Sequence, residues 1–587
     1  MASPTRPDRS GASRPRLIAS SVRRVSSGGL RHLAFAAIAT AVTARAACQP
    51  WLLTSSGDAA SAGALCLGLP ALVLAGSLFA IALARSVGAG RALATDALSF
   101  AAVILLLGLV SFDAPGRDLV GVAFVLALAA RALPGALLLL RTGGSAVLAF
   151  ALALTVYAGL ALWTTAAVAP YGDQVHFLIA ADALAHGRVE ATVDARIFRD
   201  LIGVDPSPDD LATHVVLTPV GPRLVQGYLV PLALVPGWIA AGRLGATLVV
   251  ALAGAWAAAQ TFLLLRETVA DVRARSWSWL AAAFLAPVVA LAPTVYPNVL
   301  GAAALVTAYR WLFTAPVRRP LLAGALCGAT LFITPRDGLV ALVLLAFAWS
   351  AGRATFGRAA AAFAAVGAVA CATNALLYGV PVPYAGYLFG TAAAQTLTAE
   401  PSLTFRVWVG LPAILYDRTF GVAGSAPWLF IGALGAAAAL RARRDLMPAA
   451  VAIAVSLLAL SVYRYWEGGY APPARYMVEV VPLATPFVAY GLARRDLSSR
   501  AFAALALGLG ALAALLIAAL PARALNSAFE GKLQELYDAV LGLNPLGWLP
   551  SFQPVTPDWY VAAYLRLVPA LLLTAALAWW GWRRRLA

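Results

Sequence analysis

Apolar runs of roughly 17 to 25 residues recur along most of the chain, and no other feature restricts its fold so tightly. About 20 residues at about 1.5 Å each cross the hydrocarbon core of a bilayer as a helix. Hydrophobic residues make up 61% of the 587, charged residues only 12%, and the mean hydropathy is +0.82, which excludes a soluble globular protein. In order, the candidate spans are 33–53, 62–84, 95–112, 119–140 and 145–169, then 244–265, 277–294, 298–314, 320–335, 338–352 and 359–378. They end with 426–440, 447–463, 476–493, 501–521 and 562–582. The expected fold is all-α, a polytopic membrane protein of about sixteen transmembrane helices. Arg45 interrupts the first span, and the two short runs around Pro335 also fit a re-entrant pair.

The organisation follows from these runs. Residues 1–30 form a basic tail rich in Arg, Ser and Pro, without hydrophobic periodicity, and read as disordered and cytoplasmic. A long basic stretch with no clear small-residue cleavage site argues against a cleaved signal peptide. Residues 31–144 hold about four helices, 145–495 a transmembrane core, and 496–587 further helices around an external segment, 522–560. The four cysteines, Cys48, Cys66, Cys327 and Cys371, lie in or beside apolar runs without metal-ligand spacing and read as core residues.

The net charge of +17 suggests a nucleic-acid partner until its distribution is seen. The arginines sit in small groups at the ends of apolar runs, the pattern of inner-face loops, so no nucleic acid is implied. With a cytoplasmic N-terminus, the inner side receives Arg85, Arg91, Arg141, Arg266, Arg273, Arg275, Arg318, Arg319, Arg353 and Arg358. It also receives Arg441, Arg443, Arg444, Arg494, Arg495, Arg500 and Arg583 to Arg585. The outer side receives 171–228, 379–424, the Tyr465–Arg475 turn and 522–560, where acidic residues gather. The chemistry is therefore expected on the extracytoplasmic face of a bacterial cytoplasmic membrane.

The island 171–228 concentrates eight carboxylates and three of the four histidines. Its Asp173 follows Pro170 by three residues, where a span leaves the membrane, and precedes the apolar Phe177 to Ala181. A partly desolvated carboxylate at the membrane surface suits general-base work. The competing reading makes Asp173 a helix N-cap. His176 serves equally as a hydrogen-bond partner, a metal ligand or an interfacial ring.

Here a resemblance enters. Gly172-Asp173-Gln174-Val175-His176-Phe177-Leu178 resembles the Gly-Asp-Glu-Pro-His-Tyr-Leu stretch of bacterial polyprenyl-phosphate-sugar-dependent glycosyltransferases of the GT-C class, such as protein mannosyltransferases and lipid A aminoarabinose transferases. Tyr296-Pro297-Asn298, Thr334 to Gly338, Tyr416 to Gly421 and Trp466 through Tyr476 resemble further landmarks in the same order, over about 145–491. The resemblance implies a catalytic Asp173 at the start of the first large external loop, with an amphipathic interfacial segment at Leu224–Ala241. It implies inverting transfer of a sugar from a polyprenyl-phosphate donor to a glycan, lipid or protein acceptor, among membrane lipids.

Two positions depart from the family pattern. Gln174 replaces its second acid, and Asn298 replaces an acid often found after the Tyr-Pro pair. Amides bind a divalent cation less well than carboxylates, so no cofactor or metal is expected, unless Asp173 and another island acid hold one.

A leaving phosphate calls for cations more than for a general acid. Arg336 and Arg475 are the favoured phosphate ligands, with Arg464, Arg243 and Arg418 as further candidates. Each has an ordinary alternative in a carboxylate partner: Asp337 for Arg336, Asp417 for Arg418, Glu467 or Glu479 for Arg475. Trp466 and Tyr470 suit stacking on a sugar ring, although interfacial aromatics also anchor proteins in membranes. Gln174 and His176 complete the substrate-binding set. A lipid-linked glycan flippase, a glycan polymerase of another fold, or a non-catalytic glycan- or lipid-binding relative are the competing functions.

Overall fold

The computed structural model describes residues 117–189, 195–203, 215–389, 403–463, 466, 468, 471–524, 532–544, 546–552 and 557–583. The 1–30 tail, the spans at 33–53, 62–84 and 95–112, Arg464, Glu467, Gly469, Tyr470 and five of the eight island carboxylates lie outside these residues.

The described chain is helical apart from one antiparallel hairpin, β1 (Val215–Thr218) with β2 (Gly221–Leu224), paired Val215 to Leu224 and Thr218 to Gly221. Eight helices are long and apolar enough to cross a membrane: Gly121–Thr142, Ala146–Ala167, Leu229–Thr268, Val272–Leu291, Arg353–Tyr378, Arg444–Ser461, Leu497–Ala519 and Ala562–Arg583. The apolar helices Pro320–Phe332, Val407–Tyr416, Pro427–Ala442 and Val481–Leu492 are shorter. The protein is thus an all-α membrane protein, with eight helices of spanning length and apolarity among the described residues.

Helix α1 (Arg117–Thr142) turns through Gly143 and Gly144, at φ 75° and 51°, into α2 (Ala146–Ala167), capped by Ser145 accepting from Leu148 N at 3.1 Å. Buried residues occupy every face of α2, as befits a helix hydrophobic all round. After it come α3 (Asp173–Ala185), α4 (Ala195–Ile202), the hairpin, and the 40-residue α5 (Leu229–Thr268). The expected amphipathic segment and the span at 244–265 are one element here, broken at Ala241 and Gly242. Gly242 lies at φ 54°, which suits glycine. A Cβ on Gly237 would stand 2.3 Å from the Gly245 carbonyl oxygen, so two glycines let the halves fold together.

Helix α6 (Val272–Phe284) is capped by Asp271, and α7 (Pro297–Tyr309) starts with proline at its first position, where no amide hydrogen bond is lost. The runs 320–335 and 338–352 become two short helices, α8 (Pro320–Ala329) and α9 (Pro335–Ala348), separated by a tight turn and Thr334. Then follow α10 (Arg353–Tyr378), α11 (Ala385–Phe389) and α12 (Leu403–Tyr416), the last two inside the stretch expected to be a polar loop. The remainder is α13 (Ile431–Ala442), α14 (Met447–Ser461), α15 (Val481–Leu492), α16 (Leu497–Ala519), α17 (Lys532–Leu541) and α18 (Pro557–Arg583). Small residues bring backbones together. A Cβ on Gly435 would meet the Phe487 carbonyl oxygen, and one on Gly491 the Ile431 carbonyl oxygen, both near 2 Å.

Hydrogen bonds divide the bundle into two polar ends. At one, Ser276 donates to Leu139 O, Arg443 to Glu267 O and Tyr309 to Asp445 O, gathering the C-terminal ends of α1, α5 and α7. Arg443 and Arg494, expected on the inner face, belong to this end, and Arg310 joins them there. At the other lie Asp173, Asn298, Arg336 and Arg475, the starts of α3, α7 and α9 among them.

Candidate active site

Asp173 is the first residue of α3, and the cap position is Gly172, at φ 54°, which has no side chain to cap the helix. The N-cap reading of Asp173 is therefore replaced: its carboxylate, 23% exposed, accepts from Arg475 Nη2 in a close ion pair. Chain-distant residues meet here because α2 ends at Val168 and Gly172 turns the chain back into the bundle.

Arg475 is held on several sides. Its Nε donates to Asn298 Oδ1 at 3.2 Å and its Nη1 to the Gly468 carbonyl at 3.1 Å. Its guanidinium lies 4.3 Å from the Tyr296 ring centre and 5.2 Å from that of Tyr476. Burial works against the charge, but Asp173 outweighs it and holds the Arg475 pKa above its usual range. The preceding Ala474 adopts φ 55°, a strained conformation for a residue with a Cβ, and donates its amide to Phe420 O at 2.9 Å.

That acceptor belongs to a turn organised by Asp417. Its Oδ1 accepts from the amides of Thr419 at 2.8 Å and Phe420 at 2.9 Å, and its Oδ2 from Phe552 N at 2.7 Å. The expected Asp417–Arg418 pair is not what employs this carboxylate. Burial raises the Asp417 pKa, and the three amides pull the other way. Asp417 thus ties residues 417–420 to the C-terminal segment and supports Arg475 from behind. Trp466 packs edge-on against Phe420 in the same layer, at 6.2 Å between centres.

Arg336 opens α9 and pairs with Glu479 at 2.9 Å, not with its neighbour Asp337. Its guanidinium lies 4.0 Å from the Tyr476 ring centre, so both favoured arginines contact one tyrosine. Glu479 Oε1 also accepts from Asn298 Nδ2 at 2.6 Å, and Asn298 is wholly buried. Asp337 is wholly buried too, with its Oδ2 taking the Thr334 hydroxyl hydrogen bond at 2.9 Å. Burial, joined by the like charge of Glu479, pushes the Asp337 pKa well above the carboxylate range.

Gln174 accepts from Val295 N at 3.0 Å through Oε1, which ties α3 to the start of α7. His176 is buried on α3. Tyr387 of α11 stands within electrostatic reach of Asp173, Arg336 and Arg475, and burial, with Asp173, raises its pKa and keeps the phenol protonated. Arg243, at the kink of α5, donates to Thr165 O at 3.3 Å and lies near Tyr171, one layer away.

Four polar atoms in this cluster are buried without a hydrogen-bond partner: Gln174 Nε2, Arg336 Nε, Asp337 Oδ1 and Glu479 Oε2. Each orphan costs about 1–3 kcal/mol, so their concentration makes this cluster the candidate polar site. No group of three or more potential metal ligands occurs among the described residues. Asp173, Gln174, Arg336 and Arg475 are thus brought into one cluster. The residues that join them, Asn298 and Glu479, had entered only as a departure and as an alternative ion-pair partner.

The fold and cluster define a class: a helical membrane protein with a buried, arginine-rich polar site at one end of its bundle. No protein-family model, curated protein or solved structure matches the chain.

Proposed function

We propose that this is a membrane glycosyltransferase of the GT-C kind. It moves a sugar from a polyprenyl-phosphate donor to an acceptor hydroxyl on the extracytoplasmic face of a bacterial cytoplasmic membrane. The observation that supports it most is the meeting of Asp173 with Arg475, and of both with Arg336 through Asn298 and Glu479, among orphaned buried polar atoms. A carboxylate, two guanidiniums and several tyrosines in one cluster are the groups that transfer from a sugar phosphate requires.

In the reaction, the acceptor oxygen attacks the anomeric carbon as Asp173 takes its proton. The bond from that carbon to the phosphate oxygen breaks, its electron pair leaves with the lipid phosphate, and the configuration inverts. Arg475 and Arg336 hold the phosphate and stabilise the charge it gains. Donor phosphate competes with Asp173 for Arg475, and this frees the carboxylate to act as a base. Tyr387, kept protonated, donates to substrate oxygens. Gln174 presents its amide beside Tyr171 and Tyr296, while Trp466 supports the turn beneath Arg475 and Tyr470 and Arg464 flank it in sequence.

The close Asp173–Arg475 pair also favours a second reading, a relative that binds a lipid-linked glycan without catalysis, since an ion-paired carboxylate is a poorer base. A flippase is the third. Asp173→Asn separates them, assayed by sugar transfer from polyprenyl-phosphate donors in membranes. Transfer is expected to fall about 10³-fold with expression unchanged. Unchanged transfer, or lipid transport that survives the substitution, would refute the proposal.

A further inference from the structure

One carboxylate serves two arginines. Glu479 Oε1 takes Arg336 directly at 2.9 Å, and Asn298 relays it to Arg475: Nδ2 donates to Glu479 at 2.6 Å while Oδ1 accepts from Arg475 Nε at 3.2 Å. Standing between a carboxylate and a guanidinium requires a donor on one side and an acceptor on the other, and a side-chain amide supplies both. An aspartate at 298 would have no proton for Glu479 and would set two carboxylate oxygens against each other at that distance.

The same logic covers the whole cluster. Two guanidiniums, Arg336 and Arg475, pair with two carboxylates, Glu479 and Asp173, beside a third acid, Asp337, that takes the Thr334 hydroxyl; Gln174 and Asn298 stand as neutral amides between the elements. Acids at 174 and 298 would add two more carboxylates to this set and call for an added cation.

We infer that Asn298 and Glu479 are positioning residues that fix Arg336 and Arg475 as one paired cation site for a phosphate headgroup, with the charge balanced by the protein's own side chains. This rests on the reading of the two arginines as phosphate ligands. The buried Nε of Arg336, without a partner, is the donor the pair leaves ready for that headgroup. Tyr476, against both guanidiniums, limits their separation.

The test is a binding titration of the full-length protein in detergent with undecaprenyl phosphate and, in parallel, inorganic phosphate. Asn298→Ala, which adds no charge, is expected to weaken both about tenfold through loss of the relay. Asn298→Asp is expected to weaken them more near pH 8, with partial recovery near about pH 6 or on adding Mg²⁺, as a proton or cation comes between the two acids. The double variant Asn298→Asp/Glu479→Gln keeps one carboxylate and one amide in exchanged places, and is expected to return to within about threefold of the parent. Parental affinity in both single variants, or a double variant no better than Asn298→Asp, would overturn the inference, as would a loss confined to the lipid. If Asn298→Asp fails to fold, Asn298→Ala decides alone. Arg336→Ala and Arg475→Ala keep the two levels apart. Phosphate affinity lost in these but not in Asn298→Ala sinks only the positioning role, whereas affinity kept in all of them sinks the phosphate site itself.

Discussion

The two ends of the bundle carry similar charges and use them differently. At the end opposite Asp173, Arg310 lies in a single π turn after α7, and its three nitrogens reach Glu267 Oε1, Glu267 Oε2 and Gln260. Thr314 adds a 2.7 Å bond to Glu267 Oε2, and Arg443 grips Asp445 and the Glu267 carbonyl. No atom of the Glu267 or Arg310 side chains is buried without a partner. At the Asp173 end four atoms are, against the single Arg275 Nε at the opposite end, outside that knot. A saturated ion-pair knot fixes helices, whereas an unsaturated one waits for something. The contrast, more than the presence of arginine in a membrane protein, distinguishes scaffold from site.

Substitutions at the two ends should fail differently. Glu267→Ala strands a buried guanidinium and is expected to cost about 3–5 kcal/mol of stability in detergent unfolding, with phosphate affinity unchanged in the fraction that folds. Asp173→Asn keeps an acceptor for Arg475, which also holds Asn298 and Gly468, and should lose transfer with a much smaller stability loss than Glu267→Ala. If both variants lose stability and neither loses function selectively, the distinction collapses. Asp417→Asn removes a charged acceptor of three backbone amides and is expected to cost about 2 kcal/mol, with a raised donor KM because Phe420 no longer steadies Ala474 and Arg475. Thermal melts together with donor titration would check both parts.

The smallest effect concerns Asp337. Its folded pKa is raised, so between the unfolded value, about 3.9, and the folded one, the native state binds more protons than the unfolded state. Stability therefore falls as pH rises through that window. Asp337→Asn removes this dependence while keeping an acceptor for Thr334. Melting temperatures at about pH 5 and about pH 8 should diverge in favour of the variant at the higher value. Equal differences at both would mean that Asp337 ionises normally in the fold.

Much of the membrane architecture was legible in the apolar runs. The runs 145–169 and 501–521 reappear as Ala146–Ala167 and Leu497–Ala519. Breaks were partly legible: the two short runs around Pro335 become helices of 10 and 14 residues, whereas the boundary between 241 and 244 is a kink at Gly242 inside one helix. The hairpin 215–224 was hidden inside a stretch read as one charged island, although its own residues carry a single charge, Arg223, and α12 inside one read as a polar loop. At the site, Asp173 and Arg475 stand in motifs that could be singled out individually. Their pairing depends on how helices from distant parts of the chain converge, and local spacing does not encode that. Neighbours in sequence were the wrong partners: Arg336 passes over Asp337 for Glu479, and Asp417 takes backbone amides instead of Arg418. The substitution to Asn298, read from sequence as a loss of metal affinity, is the link between the two arginines.

A structure determined with undecaprenyl phosphate bound tests the central claim most directly. The phosphate is expected within hydrogen-bond distance of both Arg475 and Arg336, with Asp173 released from Arg475 and facing the space beside the headgroup. Phosphate bound at the Glu267–Arg310 end, or an Asp173–Arg475 pair left intact with lipid elsewhere, would contradict it.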